Sequence, residues 1–220
     1  MKKYKGIIFD LDGTLLNSLE DLMDAVNHTM KAFHLKEKTL AEVRQYVGNG
    51  VKRLIGLCVP EGEKNSQFDA ILDEFKTFYN LNCDHKTRPY DGLTDLLQKL
   101  KAEGYQLGIV SNKIDPAVKA LNAQYFSQWV EFALGERSGL NRKPSPDMVK
   151  ACIEEMGLLE HEVVYIGDSE VDIETAKNSG IDCICVNWGF RDEAVLIENG
   201  AGTIVSDAEM LYDEISKSNI

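Results

Sequence analysis

The chain has 220 residues, enough for a core and a smaller insert, and its 44% hydrophobic and 27% charged residues describe an ordinary globular protein, neither disordered, fibrous nor membrane-embedded. Its 24 basic and 36 acidic side chains leave a formal net charge of −12. That field repels nucleic acid and anionic lipid, so a small phosphorylated partner needs a local cationic pocket or a metal to receive it.

The chain opens on Lys2, Lys3 and Lys5, but Asp10 and Asp12 break the apolar stretch that follows, so no export signal is read there. No apolar run approaches the roughly 20 residues that span a bilayer. The run Gly6-Ile7-Ile8-Phe9 reads as a parallel strand buried on both faces and ends at Asp10.

From residue 16 to residue 86 the pattern is helical. Ser18 is placed to cap a first helix whose face is Leu19, Leu22, Met23, Val26, Met30 and Phe33, with His28 and His34 as ordinary helix-face residues. Thr39 and Glu42 match a capping box for a second helix, a third runs from Val51, and a fourth from about Gln67 to Asn80. The expected organisation is a core of residues 1–15 and 87–220 interrupted by a helical cap domain, 16–86. The joints fall near Leu15–Asn17 and Lys86–Pro89, where Arg88-Pro89-Tyr90-Asp91-Gly92 has turn chemistry.

Strand and helix then alternate. Leu93, Leu96, Leu97 and Leu100 form a helical face, Leu107–Val110 a strand, and Asp115-Pro116 opens another helix. Further strands are read at Phe132–Leu134, Val163–Ile166 and Cys183–Val186. This rhythm predicts an α/β fold, a doubly wound, Rossmann-like parallel sheet with its site at the carboxyl ends of the strands. The five cysteines, Cys58, Cys83, Cys152, Cys183 and Cys185, are odd in number and contain no C-x-x-C pair. They fit reduced thiols in the cytoplasm, with Cys183 and Cys185 on one strand face.

Two acidic pairs stand at strand ends. Asp10-Leu11-Asp12-Gly13-Thr14 follows the first strand, and Gly13 permits the tight backbone that would turn both carboxylates to one site. Gly167-Asp168-Ser169 follows another, with Asp172 one helical turn on. Unit like charges about 4 Å apart repel by roughly 4 kcal/mol at an effective dielectric near 20. Convergence of these acids therefore calls for a hard divalent cation, and Mg²⁺ suits one or two carboxylates plus a substrate phosphate. Ser111-Asn112-Lys113, just beyond the Leu107–Val110 strand, offers a hydroxyl and backbone N–H groups to that phosphate. Lys143, in Arg142-Lys143-Pro144-Ser145-Pro146 before a helix, offers a cation.

Asp10-Leu11-Asp12-Gly13-Thr14-Leu15, Ser111-Asn112, Lys143 and Gly167-Asp168-Ser169-Glu170-Val171-Asp172, in this order, resemble the four motifs of the haloacid dehalogenase superfamily. The resemblance covers essentially the whole chain and falls among phosphatases with a small helical cap. It implies that Asp10 is a nucleophile forming an aspartyl phosphate, and that Asp12 protonates the leaving alcohol and then deprotonates water. It implies Mg²⁺ held by Asp10, the Asp12 carbonyl and Asp168, with Asp172 supporting from behind or through water. Ser111 and Lys143 would neutralise phosphoryl oxygens, with Asn112 and the amides near Gly13 and Thr14 orienting them. The acid at position 12 disfavours the dehalogenase branch.

Val47-Gly48-Asn49-Gly50-Val51-Lys52-Arg53-Leu54 resembles a cap segment of phosphoglycolate phosphatases, which would turn Asn49 and Arg53 toward the leaving group. The simpler reading is that Gly48 and Gly50 end one helix and start another. Trp188-Gly189-Phe190-Arg191 is also similar to those phosphatases, with an ordered loop beside the site as its plainer role. The implied protein is an Mg²⁺-dependent phosphatase of a small phosphorylated metabolite, monomer or homodimer. A phosphosugar mutase, nucleotidase or pyrophosphatase of the same superfamily, and a non-catalytic phosphometabolite sensor, stand as alternatives.

Overall fold

The computed structural model describes residues 4–217. Lys2 and Lys3, weighed above as the start of an export signal that Asp10 and Asp12 argue against, lie outside them. The chain divides into two units, one made of residues up to Leu16 and from Pro89 onward, the other of Asn17–Arg88.

The first unit is built on six parallel strands in the order β5-β4-β1-β6-β7-β8: β1 Gly6–Phe9, β4 Gln106–Ile114, β5 Phe132–Glu136, β6 Val163–Gly167, β7 Asp182–Val186 and β8 Ile204–Val205. Alternate residues of the strands feed different cores, as a two-faced sheet requires. Ile7, Phe9, Leu107, Ile109, Val164 and Ile166 pack with α5 (Leu93–Ala102), α6 (Asp115–Tyr125) and α10 (Ala208–Lys217). Ile8, Val110, Val163 and Tyr165 pack with α7 (Asp147–Met156) and with Ala176 of α8 (Glu170–Ser179). A six-residue helix, α9 (Glu193–Glu198), completes the unit.

The strand order creates the site. Phe9 pairs with Ile109 on one side and Ile166 on the other. Asp10 and Asp168, just past their strands, and Ser111, within its own, therefore stand at one level on three neighbouring strands. Because β1 is flanked by strands reached in opposite winding directions, its carboxyl end opens on the crevice of the switch point.

β4 is longer than its apolar run. It continues through Ser111, Asn112 and Lys113 to Ile114, with a register shift against β5 between Val110 and Ile114. These polar residues thus belong to the strand and not to a loop beyond it. The irregularity lets them depart from the plain alternation of faces. β8, with only two residues, was not legible as a strand.

The second unit contains α1 (Leu19–Ala32), α2 (Leu40–Tyr46), α3 (Gly50–Cys58) and α4 (Phe68–Asn82). Met30, Val43, Ile55 and Phe75 are fully enclosed within it. At its ends lie two-residue strands, β2 Leu16–Asn17 and β3 Arg88–Pro89, which pair with each other. Asp21, buried in the first turn of α1, accepts from the Lys86 N–H at 2.9 Å and from the N–H and hydroxyl of Thr87, both at 2.8 Å.

Ser18 does precede α1 but makes no side-chain capping bond, because its backbone (φ −107°, ψ 7°) is not the extended conformation that aims the hydroxyl at the next turn. His28 lies on α1, stacked on Phe78 at 3.8 Å between ring centroids. His34 lies past the helix end with φ 55°, not on its face.

The Thr39–Glu42 capping box is formed: Glu42 Oε2 accepts from the Thr39 N–H at 2.7 Å, and the Glu42 N–H donates to the Thr39 hydroxyl at 3.3 Å. The Thr39 N–H, then its hydroxyl, hold the Glu42 carboxyl below its ordinary value of 4.5. A carboxyl lowered in the folded state contributes stability that is complete above its unfolded value and lost as pH falls through the folded one. Glu42→Gln is therefore expected to be less stable than the parent protein at neutral pH, with the two urea-unfolding midpoints converging as pH falls below the ordinary carboxylate range. A difference independent of pH would contradict this role.

Candidate active site

The chain reverses sharply after β1. The Leu15 and Leu16 N–H groups both donate to Leu11 O, at 3.0 and 2.9 Å, and the Gly13 N–H donates to Leu16 O at 2.8 Å. Gly13 sits at φ 93°, a left-handed conformation that a side chain would strain. The Gly13 amide is thus committed within its own turn, which removes it from the donors expected for a phosphate.

Asp10, Asp168 and Asp172 come together: each offers a carboxylate oxygen, and the three oxygens lie within 4.8 Å of one another. All three residues are buried. Lys143 meets them. Its Nζ lies 2.8 Å from Asp10 Oδ1, 2.8 Å from Asp172 Oδ1 and 2.9 Å from the Tyr165 hydroxyl. Far from being a solvated turn residue, Lys143 is 3% exposed.

Electrostatics follow from this crowding. Burial raises the Asp10 carboxyl to about 7; Lys143 opposes the shift, and Asp172 and Asp12 add to it. Burial, then Asp172 and Asp10, push Asp168 well above the usual carboxylate range. Burial works against the charge of Lys143, yet Asp10 and Asp172 outweigh it and hold the ammonium well above its ordinary value. The Lys143 ammonium lies against two of the three acids, and Asp10 Oδ1 has no partner in hydrogen-bond alignment despite its nearness to it. A divalent cation fits this donor set: hard oxygen ligands, surplus negative charge and an open lone pair.

Asp172 is the most heavily engaged of the three. Its Oδ2 accepts from the Asp168 N–H at 3.2 Å, the Ser169 N–H at 3.1 Å and the Ser169 hydroxyl at 2.6 Å, while Oδ1 receives Lys143. Asp172 thereby ties the start of α8 to the end of β6 and holds the cation in place.

Ser111 and Asn112 are buried at the same strand ends. The Ser111 hydroxyl accepts from the Lys113 N–H at 3.2 Å, and Asn112 Nδ2 donates to Lys143 O at 3.1 Å, fixing the lysine's backbone. The Thr14 hydroxyl donates to Asp168 Oδ1 at 3.2 Å, so its side chain is turned to the acid. Asn49 stands at the start of α3 without a side-chain capping bond, and Arg53 is exposed on that helix. Both belong to the other unit.

Two participants, Lys113 and Tyr165, were not legible, and a third, Phe190, was read only as part of an ordered loop beside the site. Lys113 Nζ donates to Asp12 Oδ1 and Oδ2 at 3.2 and 3.3 Å from a nearly buried position; its place beside Ser111-Asn112 was the only signal. Tyr165 reads as strand core, yet its hydroxyl takes a hydrogen bond from Lys143 and has Val110 O at 3.1 Å and Asp172 Oδ1 at 3.3 Å as acceptors. The Phe190 N–H donates to Asp168 Oδ2 at 2.7 Å, which gives the loop after β7 a contact with the acid cluster.

The comparisons with known proteins agree with this architecture. Residues 7–186 match the haloacid dehalogenase-like hydrolase family, and the chain belongs to that family. Within it the chain is phosphoglycolate phosphatase-like. It is 31% identical over 215 residues to a phosphoglycolate phosphatase of Mesorhizobium japonicum, covering 96% of this chain and 94% of that one. It is 31% identical over 185 residues to the enzyme of that name from Aquifex aeolicus, covering 84% and 85%. A crystal structure from Lactobacillus delbrueckii subsp. bulgaricus superposes with a TM-score of 0.93 at 37% identity, over 97% of this chain and 98% of that one.

Replacing Lys143 by Met leaves buried acids without their cation. In chelator, Lys143→Met is expected to lower unfolding free energy by about 3–5 kcal/mol, the usual result of removing one partner from a buried ion pair. Urea denaturation in EDTA measures it, and a cost below about 1 kcal/mol would refute this charge balance.

Proposed function

We propose that this hydrolase is an Mg²⁺-dependent phosphatase that releases phosphate from a small phosphorylated metabolite, with 2-phosphoglycolate as the leading substrate. The observation that carries the reading is the meeting of Asp10, Asp168 and Asp172 at the switch point of the sheet, with the Lys143 ammonium against Asp10 and Asp172. The name shared by the relatives from Mesorhizobium and Aquifex supports the substrate.

In this reading Asp10, the Asp12 backbone carbonyl and Asp168 hold Mg²⁺, and Asp172 supports them through Lys143 and the start of α8. When bound, the ion neutralises charge on the phosphate oxygens that face these acids. Asp10 attacks phosphorus in line; its new bond to phosphorus forms as the bond to the leaving oxygen breaks, and Asp12 gives that oxygen a proton. Asp12 then takes a proton from water, whose oxygen displaces Asp10 and frees inorganic phosphate. Lys143 and Ser111 bind phosphoryl oxygens, Asn112 holds Lys143 through its carbonyl, and the Thr14 backbone amide is assigned as a further donor to them. Lys113 holds the Asp12 carboxylate in one orientation.

For the carboxylate of a substrate such as 2-phosphoglycolate, the proposed partner is Arg53, whose guanidinium suits a bidentate contact, with Asn49 beside it. These two lie in the Asn17–Arg88 unit, which the reading assigns as the cap. The free thiols of all five cysteines fit a cytoplasmic enzyme. No helix of the described residues is long and apolar enough to cross a membrane.

The test is phosphate release across a panel of phosphometabolites with Mg²⁺, including 2-phosphoglycolate, nucleoside monophosphates, sugar phosphates and pyrophosphate. The parent protein is expected to prefer 2-phosphoglycolate, and Asp10→Asn to lose roughly a thousandfold or more in kcat/KM. Undiminished turnover by Asp10→Asn removes the nucleophile. Isomerised products in place of free phosphate move the chain to the mutases.

A further inference from the structure

The Asp168 carboxylate is enclosed by two glycines from separate loops. Gly13, in the turn after β1, and Gly189, in the loop after β7, both face it. A Cβ on either would stand closer than 3.0 Å to Asp168 side-chain atoms, a separation that real Cβ atoms do not show. A Cβ on Gly189 would also strike Gly13 O. Gly189 has no left-handed φ. Its requirement is one of space alone, set by what lies against it.

The loop that carries Gly189 is fastened at three successive points around this contact. Trp188 Nε1 donates to Thr14 O at 3.1 Å, and the Phe190 N–H donates to Asp168 Oδ2 at 2.7 Å. Arg191 forms a fork onto Glu170, with Nε to Oε2 at 2.7 Å and a terminal nitrogen to Oε1 at 3.2 Å. With Thr14 donating to Asp168 Oδ1, both oxygens of the acid have a fixed protein donor and keep further lone pairs for a ligand.

We propose that the Trp188–Arg191 loop is the positioning element for the divalent cation, with Gly189 as its wedge: it sets the Asp168 carboxylate against the turn after β1. This rests on the reading that Asp168 holds Mg²⁺. No residue of the loop touches the reacting atoms; the loop acts through Asp168 and Thr14. A side chain at position 189 displaces either the acid or the Gly13 carbonyl, and loss of the indole N–H frees the loop from Thr14. Groups that orient a metal ligand from behind commonly alter affinity 10–100-fold when changed.

The experiment is calorimetric titration of MgCl₂ into full-length, EDTA-treated protein, alongside urea unfolding in EDTA. Gly189→Ala is expected to weaken Mg²⁺ binding about tenfold or more, and Trp188→Phe, which keeps an aromatic ring but loses the indole N–H, to weaken it about tenfold. The Mg²⁺ concentration for half-maximal activity should rise in parallel. Gly202→Ala, where a Cβ meets nothing within 4 Å, serves as the control and binds as the parent does.

Parental Mg²⁺ affinity in folded Gly189→Ala overturns the proposal, as does lowered metal-free stability with unaltered affinity. If Gly189→Ala does not fold, parental affinity in Trp188→Phe overturns it. Asp168→Asn separates the two levels. Parental affinity in that variant sinks the metal reading itself, whereas lost binding there with unchanged affinity in the loop variants sinks this proposal alone.

Discussion

Everything at the carboxyl end of the sheet answers to one imbalance: three buried carboxylates crowd together, and the Lys143 ammonium pairs with two of them, Asp10 and Asp172. At separations near 4 Å, each like-charge pair costs roughly 4 kcal/mol at an effective dielectric near 20. The fold accepts that cost because strand order leaves no alternative; β1 and β6 are neighbours, so residues just past their ends are neighbours too. Lys143, Tyr165 and the start of α8 then share the burden, with Asp172 as the common acceptor.

Rigidity comes from where these groups are mounted. Asp10 and Asp168 follow strands whose apolar residues are enclosed on both faces, and Ser111 lies within a strand. Groups on such supports are placed more precisely than groups on free loops. The turn after β1 adds its own bonds to Leu11 and Leu16. Asn112 adds a bond to the backbone of Lys143. The bonds from Lys113 to Asp12 and from Thr14 to Asp168 join segments more than a hundred residues apart in sequence.

Much of this could be read from the chain, for identifiable reasons. Strands buried on both faces are continuous apolar runs, and Gly6–Phe9 and Val163–Ile166 are such runs. Acids at their ends stand out by contrast. Legibility fails where a residue's role depends on a partner distant in sequence. Tyr165 looks like any core aromatic until Lys143 is brought to its hydroxyl. Gly189 looks like a loop glycine until Asp168 is set against it. β4 was cut short because Ser111, Asn112 and Lys113 are polar, and polarity within a strand reads as a break. Ser18 had the right residue type for a cap in the wrong backbone conformation, which only coordinates reveal.

The Asp21 clamp has a consequence for how this chain can change over generations. By gathering Lys86 and Thr87 onto the first turn of α1, it makes the inserted helices begin and finish at one place. A segment whose termini coincide imposes almost no separation on the chain that it interrupts, and lengthening it carries only a logarithmic entropic cost. The helices are in effect a cassette. They can be shortened, extended or exchanged for another module while the sheet keeps its acids and its lysine.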